Sequence, residues 1–153
     1  MKNLSQTEGD KLIDAIPLIA AYVAFADGRL DDIEVHSAKR IAKLRRFSGE
    51  KEPAVRNYFK EVFSTFDDRF HKLVDTLPNE EQARKDILEN KLKAINPILE
   101  KLDPLHAFQL YKSFKSFAKH VAKSEGGFLG MGSTGPRQAK AVELEMLNDP
   151  DAL

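Results

Sequence analysis

The chain has 153 residues, 24 basic and 24 acidic side chains, and no cysteine. Balanced charge gives no sequence-independent attraction to nucleic acid or to an anionic membrane surface. The lack of thiols excludes disulfides, thiolate nucleophiles, zinc–thiolate sites and iron–sulfur clusters, and it fits a reducing compartment.

A chain of this length buries roughly two thirds of its unfolded surface, so one domain is expected over residues 1–153, with its core from about 10 to 148. The start, MKNLSQTEGD, is polar and acidic where a signal peptide needs a basic residue followed by an apolar run. The longest apolar segment, IPLIAAYVAFA, is too short to span a bilayer. A soluble, cytoplasmic protein is the expectation.

In chain order, Leu12, Ile13, Ile16, Ile19, Ala20 and Val23 have helical spacing over 10–26, and Pro17 is expected to kink or split that helix. A second helix is expected over 31–47, with Ile33, Ile41, Leu44 and Phe47 inward. After the breaker SGEKEP a third opens at Pro53, and Val55, Tyr58, Phe59, Val62, Phe63 and Phe66 form a wide apolar stripe. Asp67 and Asp68 offer an N-cap for a separate short helix through Phe70, Leu73, Val74 and Leu77, which Pro78 stops.

Asn79 opens a helix through Ala83, Ile87, Leu88, Lys91 and Ile95, ended by Pro97 and followed by a short piece, PILEKL. Asp103 and Pro104 then start a helix whose face is Leu105, Phe108, Tyr111, Phe114, Phe117, Ala118 and Val121. EGGFLGMGSTG interrupts the pattern before a last helix from Pro136 to Leu147. No strand-like alternation occurs. The expected fold is all-α, a compact single-domain bundle of about seven or eight helices.

The stretch AFADGRLDDIE, residues 24–34, has two readings. In the register of an EF-hand loop Asp27 is the fifth position, the Arg29 carbonyl the seventh, Asp31 the ninth and Glu34 the bidentate twelfth. Gly28 and Leu30 match the glycine and hydrophobic positions. Val23 and Phe25 occupy the first and third positions and carry no side-chain oxygen. The loop therefore offers about four or five of the six to eight oxygens that calcium takes, and an all-oxygen set favours calcium over zinc. The alternative is helix punctuation, with Gly28 just past a helix C-terminus and Asp31 and Glu34 as a capping box. Punctuation leaves Asp27 unexplained, because an acid at the negative end of a helix dipole is unfavourable unless a cation compensates it.

Other motifs are weaker. GFLGMGST has the glycine spacing of a phosphate-binding loop, but Ser133 stands where that loop needs lysine, and it follows a helix rather than a strand. Read plainly, Phe128, Leu129 and Met131 are an apolar loop, either tucked into the core or open to a protein partner. His36, His71, His106 and His120 lack the spacing of a zinc site. There is no GxSxG elbow, and KRIAKLRR reads as a solvated face.

A helix ending in ADGRLDDIE, the middle stretch VRNYFKEVFSTFDDRFHKLVDTL, and FKSFAKHVAKSEGG before a last helix together resemble the bacterial tellurite-resistance TerB-like family. The resemblance covers about residues 12–147. It implies two pseudo-repeated helical halves, each with an ADG-type turn, a hydrophobic residue two positions later and an acid six positions after the glycine. Asp27, Gly28, Leu30 and Glu34 match in the first half. In the second, Glu125, Gly126 and Phe128 match more loosely and Gly132 stands where the acid is expected, with Gln138 or Glu143 the nearest substitutes.

What the resemblance implies is a non-enzymatic accessory protein of metal or oxyanion stress, acting through protein partners or at the inner membrane face. A divalent cation, calcium by preference, would be held by the metal-site acids Asp27, Asp31 and Glu34, with Glu125 the metal-site acid of the second half. By fixing the angle between the first two helices it would alter a surface that a partner reads. Two alternatives stay open: a metal-independent interaction module using Phe128, Leu129 and Met131, and an enzyme whose Glu34 and Glu125 meet across the halves.

Overall fold

A computed structural model describes residues 4–27, 53–128 and 136–150. Every regular element among them is helical: α1 (Gln6–Ala24), a 3-10 turn (Phe25–Asp27), α2 (Pro53–Thr76), α3 (Glu81–Lys93), α4 (Asn96–Glu100), α5 (Pro104–Phe128) and α6 (Pro136–Ala141). The all-α expectation holds, and the described residues carry six α-helices and one 3-10 turn against the seven or eight helices expected for the whole chain. The helix expected over 31–47 lies outside the described residues.

α1 starts earlier than expected because Ser5 and Glu8 form a capping box: Ser5 Oγ accepts from Glu8 N at 3.1 Å, and Ser5 N donates to Glu8 Oε1 at 3.0 Å. The Lys101 ammonium also pairs with Glu8 and, with the cap, holds its carboxyl down at about 2, tying the α4–α5 junction to the start of α1. Pro17 does not split the helix. It is buried, as are Ala15, Ile16, Leu18, Ile19, Ala20 and Ala21 beside it in sequence, and burial of this stretch outweighs the one backbone bond it removes. The buried Tyr58 hydroxyl donates to the Leu12 carbonyl of α1. Small residues at 15, 20, 21 and 24 let α2, α5 and α3 approach α1 closely, and it becomes the axis of the fold.

α2 and the helix expected after it are one element. The apolar register runs unbroken from Phe59 through Phe63 and Phe66 to Phe70, with adjacent ring centroids 5.5–6.1 Å apart. Asp67 therefore caps nothing; it lies on the exposed face, 3.2 Å from His71 one turn on. Phe59 meets Phe117 and Tyr58 meets Phe114, ring centroids 6.4 and 6.2 Å apart, so α2 and α5 share an aromatic seam.

Of the expected Ala83, Ile87, Leu88, Lys91 and Ile95 face, Leu88 and Ile95 are buried while Ile87 and Lys91 are exposed, and Arg84 and Leu92 join the buried side of α3 instead. Glu80 caps it by accepting from Gln82 N and Ala83 N. PILEKL forms the short α4 as expected, with Pro97 in its first turn.

α5 buries the expected face except at its start, where Leu105 is exposed and Phe108 is half-buried. Its helix also continues through Glu125, Gly126 and Gly127 to Phe128, beyond the expected interruption. Two interior glycines cost about 1 kcal/mol each, less than the packing of the preceding turns on α1 supplies.

α6 is shorter than expected. Instead of continuing to 147 the chain folds into successive turns, with Leu144 in the left-handed region at φ 47°. Asn96 causes this: its Nδ2 donates to the Met146 carbonyl, and its Oδ1 accepts from Asn148 N, each at 2.9 Å. Those two bonds, and burial of Leu144 and Leu147, offset a left-handed conformation that costs roughly 1–3 kcal/mol.

Candidate functional site

Apolar packing carries α1 to Ala24, and the next three residues tighten into a 3-10 turn that closes at Asp27. Ala26 and Asp27 of the ADG motif thus stand at the carbonyl end of α1, as the sequence suggested, and Gly28 lies outside the described residues. Phe25 is 4 % exposed and anchors the turn. The Arg84 guanidinium lies 5.0 Å from the centroid of its ring, and Arg84 Nη1 donates to the Asn79 carbonyl at 3.0 Å. Arg84 is itself only 2 % exposed. The last turn of α1, AAYVA, has no basic residue, so Arg84 brings a positive charge from α3 to the partly negative end of that helix. The compensating cation that sequence reasoning sought has at least one resident candidate.

Alongside the turn lies a cleft of about 410 Å³, bounded by α1, α3, α6 and the chain that follows it. Tyr22 Oη donates to Glu89 Oε2 at 2.8 Å within it. Burial, then this carboxylate, push the Tyr22 hydroxyl far above the ordinary tyrosine value, so it acts as a fixed donor and not as a phenolate. At the rim Arg137 Nη1 pairs with Glu81 Oε1 at 2.6 Å. The lining mixes Glu81, Glu89 and Glu145 with Arg84, Arg137 and Lys140.

Of the residues singled out in sequence, Asp27 ends the 3-10 turn and Glu125 lies within the helical backbone of α5, not in a turn. Phe128 is the last residue of α5. Asp31, Glu34, Leu129 and Met131 lie outside the described residues. Among the described residues no three His, Asp or Glu side chains gather in a way that could hold a metal ion. His71 is exposed beside Asp67, and His106 sits on α5 with a buried Nε2 that has no partner.

Sequence reasoning missed Arg84, because an arginine on an otherwise polar helix reads as solvated. The signal that could have found it was the 84/88/92 spacing with Leu88 and Leu92. It also missed Arg69, which reaches from α2 to Asp14 on α1 at 2.8 Å and to Asp10 at 3.6 Å.

No protein-family profile, curated protein or solved structure gives a significant match to this chain. The functional reading therefore rests on the residues themselves. Together, fold and site define an all-α domain, in which no helix among the described residues is long and apolar enough to cross a membrane.

Proposed function

We propose that the protein is a non-enzymatic, cytoplasmic accessory protein of TerB type, built of two pseudo-repeated halves. It responds to metal or oxyanion stress by taking up a divalent cation, calcium by preference, at the turn that begins with Asp27. The single observation that supports this most is the position of that aspartate. It ends a 3-10 turn anchored by the buried Phe25 at the negative pole of α1, where the helix dipole favours a bound cation. The donor set, Asp27 with Asp31, Glu34 and the Arg29 carbonyl, is all oxygen and suits calcium. Occupancy would fix the chain leaving α1 and so change a surface offered to a protein partner.

One observation favours a second reading. Arg84 already supplies positive charge at the turn, so the motif would need no ion and the protein would be a metal-independent interaction module.

Thermal unfolding with EDTA or with millimolar calcium, magnesium or manganese separates the two readings. At one hundred times its dissociation constant an ion adds about 2.7 kcal/mol. That raises the midpoint of a domain this size by roughly 5–11 °C, and Asp27→Asn with Glu34→Gln abolishes the shift. A parent protein indifferent to every ion sinks the cation reading and leaves the module.

A further inference from the structure

At the end of α1 away from the acidic turn, α1, α2 and α3 enclose a cleft of about 840 Å³, within the size range of small-molecule sites. Its character is amphipathic. Pro17, Leu18, Leu73 and Ala94 give it apolar wall, while Lys11, Lys72 and Lys91, one from each helix, stand exposed along its lining.

The charges are not equivalent. Arg69 is engaged: Asp14 takes its Nη1 at 2.8 Å, Asp10 stands 3.6 Å from Nη2, and its Nε donates to Thr65 Oγ1 at 3.0 Å. Burial opposes the Arg69 charge, and the two aspartates outweigh it, so the guanidinium stays firmly protonated. Arg69 and its acids are wall, bracing α2 against α1. The three lysines, in contrast, have no ion-pair partner among the described residues. Asp68 is the one other acid on the lining. Three uncommitted ammonium groups around an apolar wall want a ligand with an acid group and an apolar body. A polyanion fits less well, because Asp10, Asp14 and Asp68 would face its further charges.

We propose that this cleft binds an anionic amphiphile, a molecule with a single acid group held by Lys11, Lys72 and Lys91 and an apolar body lying along Pro17, Leu18, Leu73 and Ala94. The site is separate from the turn at Asp27 and does not depend on what that turn binds.

The test is a nuclear magnetic resonance titration of the full chain with decanoate, 1-decanol and inorganic phosphate as separate probes. Decanoate is expected to give saturable shifts at backbone amides of residues 10–18, 65–76 and 90–94, with 1-decanol and phosphate each about tenfold weaker or worse. Lys72→Gln with Lys91→Gln is expected to weaken decanoate about tenfold, the sum of two modest exposed charge interactions, while the thermal midpoint holds. Lys93→Gln with Lys119→Gln, two exposed lysines off the cleft, is expected to leave binding unchanged. Equal affinity for decanol, equal affinity for phosphate, shifts mapping elsewhere, or indifference to the cleft lysines each overturns the proposal.

Discussion

Replacing Arg84 by methionine keeps most of the side-chain stem and removes the charge, its stacking on Phe25 and its bond to Asn79. A partly desolvated cation–π contact contributes about 1 kcal/mol, and a hydrogen bond from a charged donor about 1.5 kcal/mol or more. Releasing a guanidinium from burial returns part of this, but only part, because Arg84 also lines the 410 Å³ cleft beside the turn. The expected net loss is about 2 kcal/mol, a fall in midpoint of roughly 4–8 °C for a chain of this length. Urea unfolding followed by far-ultraviolet circular dichroism measures it for Arg84→Met, Phe25→Leu and the double variant, with a coupling of about 1 kcal/mol expected between the two sites. An Arg84→Met protein as stable as its parent, or more so, refutes the reasoning. Burial of the charge would then cost at least as much as Phe25 and Asn79 return.

Three further outcomes follow from the packing. Tyr58→Phe removes the hydroxyl that serves the Leu12 carbonyl of α1 and is expected to cost about 1 kcal/mol in the same urea assay; a neutral result means the carbonyl did not need it. Asn96→Ala deletes both bonds that hold residues 146–148, with an expected loss of about 2 kcal/mol and faster proteolytic clipping within 142–150; an unchanged digestion pattern contradicts the tether. Burial lowers the His106 value below 6.5, against an opposing pull from Asp103, and its buried Nε2 has nowhere to place a proton. The unfolded chain therefore takes up that proton first. The His106 contribution is complete above about pH 6.5 and declines as pH falls below it, so His106→Leu is expected to flatten the stability profile between about pH 7 and pH 5.

Apolar spacing made the helices legible, because a stripe that repeats every three or four residues has only one way to be buried at once. That sufficed for the faces of α2 and most of α5, for the Asp103–Pro104 start, and for the piece PILEKL. Element ends were less legible. Asp67 and Asp68 look like a cap locally, yet the aromatic register passes straight through them, and capping worth about 1 kcal/mol cannot compete with buried phenylalanines. The stop after Ala141 was invisible because its cause, Asn96, is remote in sequence. For the site, the ADG motif correctly marked a helix end, but its electrostatic companion sits on another helix. Only the 84/88/92 spacing shared with Leu88 and Leu92 separates an inward Arg84 from an outward Lys85.

The all-round burial of α1 bears on how the chain is made. Its partners arrive late: Tyr22 waits for Glu89, 67 residues on, and Glu8 waits for Lys101, 93 residues on. Until α5 is synthesised, α2 and α3 cover only part of the segment LIDAIPLIAAYVAFA, so contacts of long sequence separation must complete the core after most of these residues have left the ribosome. A growing chain should be a holdase client throughout that interval. Stalled nascent chains give the corresponding readout, with protease resistance of residues 6–24 appearing only once the aromatic seam between α2 and α5 is able to form.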